Sequence, residues 1–551
     1  MKQTWRALKQ LRPADLGRDA ASGLALTFLA VPQGIAYALI AGLPPLAGLY
    51  ATAVPAIVGS LTRSSRFVVA GPTNALSLLV GGAVAVRSAE LGMPPVQIAL
   101  QLALLVGVMQ VLAALLRLGS IVDFISKPVV LGYISGAAVL IAVGQLPKLT
   151  ANGPSIAVGL AVAVLVLGIR RIDKRLPAAL VALTGVTVAH VLFGLDDQGV
   201  AQLSDLSAIA SGLPPLTNPG LPDLSLVGLA AAATVLSFVE SSSVARTLSD
   251  ETGEPLDSNR EFLGQGLANL AASLTGGYPV SGSPSRSVLN HRMGARSRLA
   301  GVFSGVFVIA VLLTAGPLVE RIPLSALAGL LLVIAWDLLD WTRIRQVLRS
   351  GYGDKAAFSV TLAGTWLLPL DQAIYLGVAI SIAMFVRRAS LLVVRELRVD
   401  ASGRLREVSD QDLGTTCPEV KVLHVEGALF FGSAGELRQA LDDAADSEAR
   451  AIVVRLKRAQ GLDLTCLDVF SQAARRLRSQ DKLLVLVGMR PEAMERLERS
   501  GVAAIIGPEN LFPTRRGWFV AMDEAIGRAL SFTGGHSEGC PLGHYLQKRT
   551  S

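Results

Sequence analysis

Long apolar runs separated by short polar segments fill the chain from residue 20 to residue 392. A helix needs about 20 predominantly apolar residues to cross a bilayer, and on that measure the pattern predicts fourteen membrane elements. The elements at 72–86 and 283–291 are too short to cross alone. The pattern therefore predicts a polytopic α-helical membrane protein. The predicted elements are residues 21–41, 45–61, 72–86, 96–116, 121–144, 155–169, 177–194, 224–242, 261–276, 283–291, 298–316, 324–339, 356–369 and 371–386.

Beyond residue 400 the hydrophobic pattern changes. Residues 419–430, 451–458 and 482–489 alternate like strands, while 433–445 and 466–480 have helical spacing. Strands that alternate with helices predict a small α/β domain. We therefore expect five regions, namely an N-terminal cytoplasmic segment at 1–19, a transmembrane domain at 20–392, a linker at 393–418, the α/β domain at 419–530 and a flexible C-terminal tail at 531–551.

The basic residues gather at the ends of the apolar runs. The 551 residues are 51% hydrophobic and 17% charged, with a net charge of +8. Because the positive charges lie where they would orient helices in a bilayer, we expect no nucleic-acid partner. The segment 195–223 has no Lys or Arg and is predicted to lie outside, whereas the basic segments 170–175 and 387–398 are predicted to lie inside. The sequence thus predicts a multi-pass protein of the cell (inner) membrane with both ends in the cytoplasm.

Two apolar segments are interrupted by glycine and proline in corresponding places. Both VVAGPTNALSLLVGGAVAV (68–86) and GGYPVSGSPSRSVLN (276–290) run from an extended stretch through a Gly/Pro break into a short helix. Irregular backbone at membrane depth occurs where it is buried in protein or lines a cavity. Paired interruptions therefore indicate an inverted-repeat transporter with its site near the membrane midplane.

The starts of these two short helices predict the charge of the ligand. A helix N-terminus presents unpaired N–H groups and about half a positive charge, and Arg286 adds a full charge beside the second one. We therefore expect an anion site. The alternative is that the breaks only permit packing and a kink, with Arg286 reaching a membrane interface. The candidate residues at the two helix starts are Thr73, Asn74, Ala75, Ser285, Arg286 and Ser287.

The residues around both breaks carry a family resemblance. The stretches LPPLAGLYATAVPAIVGSLTRSSRFVVAGPTNALSLLVGG (43–82) and LDSNREFLGQGLANLAASLTGGYPVSGSPSRSVLN (256–290) resemble the two signature regions of the SulP family of sulfate-permease-like anion transporters. The resemblance implies fourteen membrane helices in a seven-plus-seven inverted repeat, divided into core and gate domains, with a cytoplasmic C-terminal STAS domain. It also implies a homodimer, elevator-type alternating access, and substrates such as sulfate, bicarbonate, chloride, oxalate or dicarboxylates.

The family binds its anion between the third and tenth helices, with side chains from the first and eighth. On this chain the first helix then offers Gln33 as an amide donor and Tyr37 as a hydroxyl or a ring edge. Gln33 has a second interpretation, in which it pairs with backbone at the break made by Pro32. Some family members have a carboxylate near the Gln33 position, and this chain does not.

Glu240 is a carboxylate inside a predicted membrane helix, where ionisable groups are functional hypotheses by default. Plant sulfate symporters of the family resemble this chain in having a glutamate at this position and an arginine at the position of Arg286. We expect a Glu240–Arg286 pair that protonation of Glu240 releases, which would couple proton movement to anion movement. The alternative is a permanent structural ion pair.

The resemblance to STAS domains draws attention to Thr465. In STAS regulators a D-x-S/T-G segment carries a phosphorylated hydroxyl, and the matching residues here are 463–466, with Cys466 where glycine is usual. A role in dimer support or partner docking is the alternative to phosphorylation. In the tail, His536, Cys540 and His544 are spaced four apart, but the neighbouring glycines and Pro541 favour a flexible tail over a zinc site.

Together these patterns predict a secondary active anion transporter, first of all one for proton-coupled uptake of sulfate or a related oxyanion. The alternatives are a sodium-coupled bicarbonate carrier, a proton-coupled dicarboxylate carrier or an anion exchanger on the same scaffold, and a non-transporting membrane sensor or scaffold for the STAS domain. The sequence has no Walker A motif, H-E-x-x-H or dinucleotide fingerprint, so we expect neither an enzyme nor a cofactor. The expected partners are a small inorganic or organic anion, a proton or sodium ion, the lipid bilayer and a second copy of the chain.

Overall fold

The computed structural model describes residues 13–119, 126–173, 177–206, 212–314, 316–400, 404–407, 417–515, 520–534 and 540–550. The chain divides into two compact units, Met1–Ile382 and Ala383–Ser551. Each unit has its own hydrophobic clusters.

Helices of the first unit follow one another in two sets of seven. Several begin with proline at the first helical position, as α2 and α4 do, where the missing N–H is not needed and φ is already helical. The first set, with one short strand inside it, comprises α1 (Pro13–Ile40), α2 (Pro45–Thr62), β1 (Ala70–Gly71), α3 (Asn74–Leu91), α4 (Pro95–Leu115), α5 (Lys127–Leu149), α6 (Gly153–Ile172) and α7 (Ala178–Leu192).

The second set repeats this order, again with a short strand before its third helix. Among the described residues, eight helical stretches of the chain are long and apolar enough to cross a membrane, and α7 and α11 are shorter apolar helices. Each of the fourteen predicted elements coincides with one of the helices, so that prediction is confirmed. The second set comprises α8 (Val227–Thr252), α9 (Ser258–Leu274), β2 (Ser281–Gly282), α10 (Pro284–Arg292), α11 (Leu299–Thr314), α13 (Leu324–Leu338), α15 (Tyr352–Leu367) and α16 (Leu370–Ser390), with the additional short helices α12 (Gly316–Glu320) and α14 (Trp341–Arg349).

Contacts between the two sets of helices occur in equivalent pairs. The main contacts recur when both helices are replaced by their counterparts in the other set. Helix α4 packs on α9 as α11 packs on α2, and α5 packs on α15 as α13 packs on α6. Reciprocal contacts of this kind are what an inverted repeat produces. The fold is therefore the predicted seven-plus-seven inverted repeat, with a core part formed by α1–α4 and α8–α11 and a gate part formed by α5–α7, α13, α15 and α16.

The second unit is an α/β domain, as its sequence pattern predicts. Its described residues form a six-stranded sheet of order β4-β3-β5-β6-β7-β8, in which β5 to β8 are parallel and β3 is antiparallel to both neighbours. Helices α17–α20 cover one face and helices α21 and α22 the other, as a largely parallel sheet requires. The elements are β3 (Val393–Val399), β4 (Leu405–Glu407), β5 (Val420–Ala428), α17 (Ala434–Ala445), β6 (Ala451–Gln460), α18 (Leu464–Ser479), β7 (Leu483–Met489), α19 (Pro491–Arg499), α20 (Val502–Ile506), β8 (Leu511–Pro513), α21 (Val520–Phe532) and α22 (Pro541–Thr550).

The segment predicted as a linker, 393–418, contains two strands of this sheet. Strand β3 pairs with β5, and Leu397 and Val399 are buried on the sheet face that α21 and α22 cover. The alternation that signals a strand is present here, but the neighbouring arginines were interpreted as charges that flank a membrane helix. Residues 401–403 and 408–416 lie outside the described residues.

Both ends of the chain also differ from expectation. Residues 13–19 of the predicted N-terminal segment already belong to helix α1, and residues 1–12 lie outside the described residues. In the predicted flexible tail, residues 541–550 form α22, which buries Leu542 and Tyr545. Pro541 was interpreted as a helix breaker, yet at the first position of a helix proline is favourable.

Candidate functional site

The two Gly/Pro breaks meet in the middle of the first unit. Strands β1 and β2 pair antiparallel, with Ala70 opposite Gly282 and Gly71 opposite Ser281. The Ser283 N–H also donates to the Val69 carbonyl at 3.0 Å. The pairing brings the starts of α3 and α10, the third helices of the two sets, close together as the sequence predicts.

A buried network of amide and hydroxyl side chains holds the chain that leads into β2. The Asn269 amide accepts from the Val280 N–H at 2.7 Å and donates to the Val280 carbonyl at 3.0 Å. Gln265 Nε2 donates to the same carbonyl at 2.7 Å, and Gln110 connects Asn269 to Ser237. Since satisfied buried networks are rigid, the position of the second break is fixed by its surroundings.

Arg286 is fully buried at the start of α10, but only part of its guanidinium is paired. Nη2 donates to the Pro72 carbonyl at 2.6 Å, while Nε and Nη1 have no hydrogen-bond partner among the described residues. The alternative in which Arg286 reaches a membrane interface is therefore wrong, because protein surrounds the side chain completely. An unpaired buried charge costs on the order of several kcal/mol, and the two free donors are suited to the oxygens of an anion.

Two glycines make room for this arrangement. A Cβ on Gly71 would lie 2.3 Å from Arg286 Nη1 and 2.6 Å from Nη2, so the guanidinium lies directly against the backbone of the first break. A Cβ on Gly282 would lie 2.7 Å from Ser241 Oγ on α8. The glycines of the two breaks therefore allow close approach of a charged side chain and of a helix.

Glu240 does not form the predicted pair with Arg286. Its Oε2 accepts a hydrogen bond from Thr73 Oγ1 at 2.8 Å, and Thr73 does not use this hydroxyl to cap α3. Arg286 binds the carbonyl of the preceding residue, Pro72. Glu240 and Arg286 therefore bind the adjacent residues Thr73 and Pro72 instead of each other. The Thr73 hydroxyl is the nearer partner for the carboxylate.

Gln33 and Tyr37 lie on the buried side of α1, the first helix. Gln33 Oε1 has no hydrogen-bond partner among the described residues, so this oxygen is not tied to backbone near Pro32. Tyr37 lies close enough to interact electrostatically with both Arg286 and Glu240. The structure thus places Tyr37 in the region that contains both ionisable groups.

The predicted residues at the two helix starts have different surroundings. The Ala75 N–H donates to Asn74 Oδ1 at 2.7 Å, so this amide already has a partner. Ser285 is exposed. The hydroxyl of Ser287 donates to the Ser283 carbonyl at 2.6 Å and accepts from the Val69 N–H at 3.1 Å. Ser287 therefore ties the two breaks together, and its hydroxyl is occupied.

Two tyrosines near the site were missed by the sequence analysis. Tyr278 is fully buried, its hydroxyl lies 2.9 Å from Ser77 Oγ, and it interacts electrostatically with Tyr37 and Arg286. Its place within the second signature region was a signal that could have identified it. The hydroxyl of Tyr133, on gate helix α5, donates to the Ala75 carbonyl at 3.5 Å, and no sequence signal marks this tyrosine.

A second buried arginine, Arg63, has a complete set of partners. It pairs with Glu261 at 3.2 Å and donates to Gln265 Oε1 at 2.7 Å and to the Gly59 carbonyl at 3.3 Å. Glu261 also accepts from the Ser64 N–H at 3.1 Å. This pair connects the end of α2 to the start of α9, so Arg63 is a structural residue and not merely a charge of a predicted inside loop.

In the second unit, Thr465 lies on the exposed first turn of α18, after Asp463 caps the helix by accepting from the Cys466 N–H at 2.9 Å. The position is open to modification, and phosphorylation remains a prediction. Of the proposed tail ligands, Cys540 is buried, His544 is exposed and His536 lies outside the described residues.

Among the described residues, one group of side chains of the types that bind metals lies close together in the second unit. Ligand atoms of Glu407, His424 and Glu426 lie within 4.8 Å of one another. Arg395 Nη1 lies 2.5 Å from Glu407 and Arg458 Nη1 lies 2.5 Å from Glu426, and burial together with nearby Arg455 lowers the pKa of His424. Because both carboxylates are already neutralised by arginines, the group is an ion-pair network.

Models of two protein families match the chain. The model of the sulfate permease family matches residues 16–153 and 149–361, and the STAS domain model matches residues 415–517. The putative sulfate transporter YvdB of Bacillus subtilis (strain 168) is 29% identical over 522 residues, covering 90% of this chain and 96% of that protein. The probable sulfate transporter Rv1739c of Mycobacterium tuberculosis (strain ATCC 25618 / H37Rv) is 27% identical over 528 residues, covering 90% and 93%.

Solved structures share the fold. The murine Solute Carrier 26 family member A9 anion transporter in the inward-facing state has a TM-score of 0.86 and 18% identity, covering 96% of this chain and 94% of that one. The transmembrane domain of the cyanobacterial bicarbonate transporter BicA has a TM-score of 0.54 and 22% identity, covering 68% and 98%. At these identities the likeness concerns architecture alone.

Proposed function

Because the chain belongs to the sulfate permease family, we propose that it is a secondary active anion transporter that takes up sulfate or a related oxyanion together with protons. The observation that carries the proposal is Arg286, a fully buried guanidinium whose Nε and Nη1 have no partner among the described residues. A protein bears the cost of such a charge when a ligand completes its hydrogen bonds.

The proposed anion site lies between the starts of α3 and α10. Arg286 supplies the full charge and two free donors, and the two helix starts add partial positive charge. Gln33 and Tyr37 of α1 complete the site as polar groups that orient the anion, with Thr73, Asn74 and Ser285 at its edge. Ala75 and Ser287 have a smaller part in this proposal, because their N–H and hydroxyl groups already have partners.

Proton coupling is proposed to operate through Glu240. The carboxylate holds Thr73, and Arg286 holds Pro72 of the same segment. An anion bound at Arg286 repels an ionised Glu240, so anion binding and protonation of Glu240 favour each other. This linkage through residues 72 and 73 replaces the direct ion pair that the sequence analysis expected.

We further propose that the core part moves relative to the gate part in an elevator-type cycle. Gln33, Glu240 and Arg286 lie on helices of the core part, and Thr73 directly precedes another of them, α3, so the site would travel as one body. The proposal includes a homodimer in the cell (inner) membrane with the N-terminus and STAS domain in the cytoplasm. The positive charge on segments such as 170–175 and 387–398 supports this orientation.

A bicarbonate or dicarboxylate carrier on the same scaffold is the second candidate function. The shared fold with the bicarbonate transporter BicA supports the bicarbonate carrier, for which sodium would be the coupling ion, whereas a dicarboxylate carrier would be coupled to protons. Bicarbonate and sulfate both present oxygens to a guanidinium, so the geometry of Arg286 accommodates either ion. A sensor or scaffold role is weaker, because it leaves the unpaired charge of Arg286 without a purpose.

Uptake into proteoliposomes tests the proposal. Vesicles that contain the full-length chain should accumulate labelled sulfate when the outside is acidic, and vesicles without protein should not. Unlabelled bicarbonate, chloride, fumarate and oxalate, added one at a time, rank the competing substrates, and sodium should not replace the proton gradient. If the vesicles take up none of these anions under any gradient, the transporter proposal fails.

The Glu240→Gln variant in the same vesicles tests the coupling residue separately. Glutamine imitates a permanently protonated glutamate, so the variant should exchange anion for anion across the membrane but lose accumulation driven by the proton gradient. Accumulation by the variant at the wild-type level would show that Glu240 is not the coupling group, while leaving anion transport itself intact.

A further inference from the structure

Two cysteines of the second unit lie side by side although 123 residues separate them. Cys417 comes shortly before β5, and Cys540 comes directly before α22. Their sulfur atoms are 2.9 Å apart, and both side chains are mostly buried, at 9% and 5% exposure. A disulfide bond has a sulfur–sulfur distance of about 2.05 Å, so the two sulfurs need to approach by only about 0.9 Å.

The surroundings of the pair connect the last helix to the sheet. Both cysteines belong to the hydrophobic cluster on the sheet face that α21 and α22 cover, together with Leu542 and Tyr545 of α22. The Tyr545 hydroxyl also donates to Asp523 of α21 at 2.8 Å. In the described part of the chain, α22 is thus held by a few apolar contacts and by polar contacts such as this one.

We propose that Cys417 and Cys540 are a site of oxidative modification, at which a peroxide converts the two thiols into a disulfide that fastens α22 to the sheet. One thiolate attacks an oxygen of hydrogen peroxide, which gives a sulfenic acid and releases one water after protonation. The second sulfur attacks the sulfenic sulfur and releases another water. The two thiols and one peroxide become one disulfide and two waters, so the sulfurs are oxidised by two electrons and the peroxide is reduced by two.

The buried environment of the two thiols slows their oxidation. Burial and the hydrogen bond with Cys540 raise the pKa of the Cys417 thiol, so little thiolate is present at neutral pH. Oxidation is therefore slow at neutral pH and accelerates as the pH rises. The reaction depends on local opening of α22, a short helix near the end of the chain.

Cys466 provides an internal control. It is buried on the opposite face of the same sheet, where its thiol donates to the Phe430 carbonyl at 3.5 Å. Burial raises its pKa to about 12. A treatment that oxidises cysteines without selectivity, or that unfolds the domain, would affect Cys466 as well as the pair.

The experiment uses the full-length chain in detergent, first reduced and then exposed to hydrogen peroxide. After denaturation, free thiols are alkylated and the tryptic peptides are measured by mass spectrometry. We expect a disulfide between peptides 407–421 and 529–548, and an alkylated thiol in peptide 459–475, which contains Cys466. Amide hydrogen exchange in α22 should become roughly tenfold slower on oxidation and return to its initial rate with a reducing agent.

Serine variants complete the test. In Cys540→Ser, Cys417 should form no disulfide under the conditions that oxidise the wild type, because the sulfur that would attack its sulfenic acid is absent, and the exchange rate in α22 should not respond to peroxide. Cys466→Ser should form the disulfide as the wild type does, which excludes general damage from substitution. Three free thiols after prolonged oxidation at raised pH, a disulfide that includes Cys466, or unchanged exchange in α22 of the oxidised chain would each overturn the proposal.

Discussion

Arg63 and Arg286 are both fully buried in the first unit, but their surroundings differ. Arg63 has a carboxylate, an amide oxygen and a backbone carbonyl as partners. Arg286 has one carbonyl, and two of its donors have no partner among the described residues. A buried charge with a full set of partners contributes to the fold, and removing a partner destabilises the protein. A buried charge with unpaired donors can still bind a ligand. The contrast separates a structural arginine from a candidate binding arginine.

The first prediction concerns Arg286→Ala. Loss of the charge should weaken anion binding by about 2–5 kcal/mol, or roughly 30-fold to 5,000-fold in dissociation constant, without lowering the thermal unfolding midpoint. Arg63→Ala is the matched control, because it leaves Glu261 buried without its cation and should lower the unfolding midpoint strongly. Isothermal titration with sulfate and differential scanning fluorimetry check both variants. Wild-type affinity in folded Arg286→Ala protein would exclude the proposed role.

Single residues could be predicted where the signal is local, and their partners could not. Arg286 stands beside a Gly/Pro break in an apolar segment, and that pattern marks it as a candidate for an anion site. The bond between Thr73 and Glu240 joins residues 167 apart, and the pair Arg63–Glu261 joins residues 198 apart. The spacing of residues along the chain does not show which polar group from a distant segment will lie nearest to a given side chain in the fold. The expected Glu240–Arg286 pair failed for this reason.

At the scale of elements, the crossing of β1 and β2 is the feature on which the site depends. Each strand has only two residues, so the pairing has few ladder hydrogen bonds of its own. The Ser283 N–H donates to the Val69 carbonyl, and the Val69 N–H donates to the Ser287 hydroxyl. These two bonds and the buried network around Val280 supply the remaining support. The crossing sets the distance between the starts of α3 and α10, so a disturbance there should act on binding through geometry.

The second prediction is that Gly71→Ala weakens anion binding about tenfold or more. A new Cβ would lie 2.3 Å from Arg286 Nη1, so the guanidinium must move away from the first break. Gly82→Ala, on the helix α3 that follows the first break, is the control, since its Cβ would have its nearest neighbour, Leu370, at an ordinary 3.5 Å. Titration with sulfate should find Gly82→Ala close to wild type. Equal affinities in the two variants would contradict the close contact between Gly71 and Arg286.

The elements themselves were largely predictable, because apolar periodicity is local and strong in membrane helices and in the buried strands of the second unit. The short elements α12, α14, α19, α20, β8 and α21 were not among the predicted ones, and β3, β4 and α22 lie where a linker and a flexible tail were expected. Strand β3 lies beside a basic segment, so the charges of Arg395 and Arg398 concealed the alternation of Leu397 and Val399. Helix α22 has only 10 residues, and a helix this short is stable only through the tertiary contacts that Leu542 and Tyr545 make.

At the scale of the whole molecule, the division of the chain into two units has a functional consequence. All residues proposed for the anion site and for coupling lie in the first unit. The second unit has its own sheet and its own hydrophobic clusters, so it can influence transport through assembly or regulation without contributing a ligand to the site. Its exposed Thr465 is one position at which such regulation could be introduced.

The third prediction is that removing the second unit leaves substrate selectivity unchanged. A chain that ends at Ser390, the last residue of α16, keeps every membrane helix and removes the whole sheet. A chain that ends at Val399 is the informative comparison, because it keeps β3 without its partners β4 and β5 and exposes Leu397 and Val399. An unpaired apolar strand promotes aggregation, so the chain ending at Val399 should give less monodisperse protein than the chain ending at Ser390 on size-exclusion chromatography.

In proteoliposomes, the chain ending at Ser390 should rank sulfate, bicarbonate, chloride, fumarate and oxalate as the full-length chain does, even where its total activity falls. A changed order in well-folded truncated protein would mean that the second unit takes part in choosing the anion, and the site could then no longer be confined to the helices of the core part.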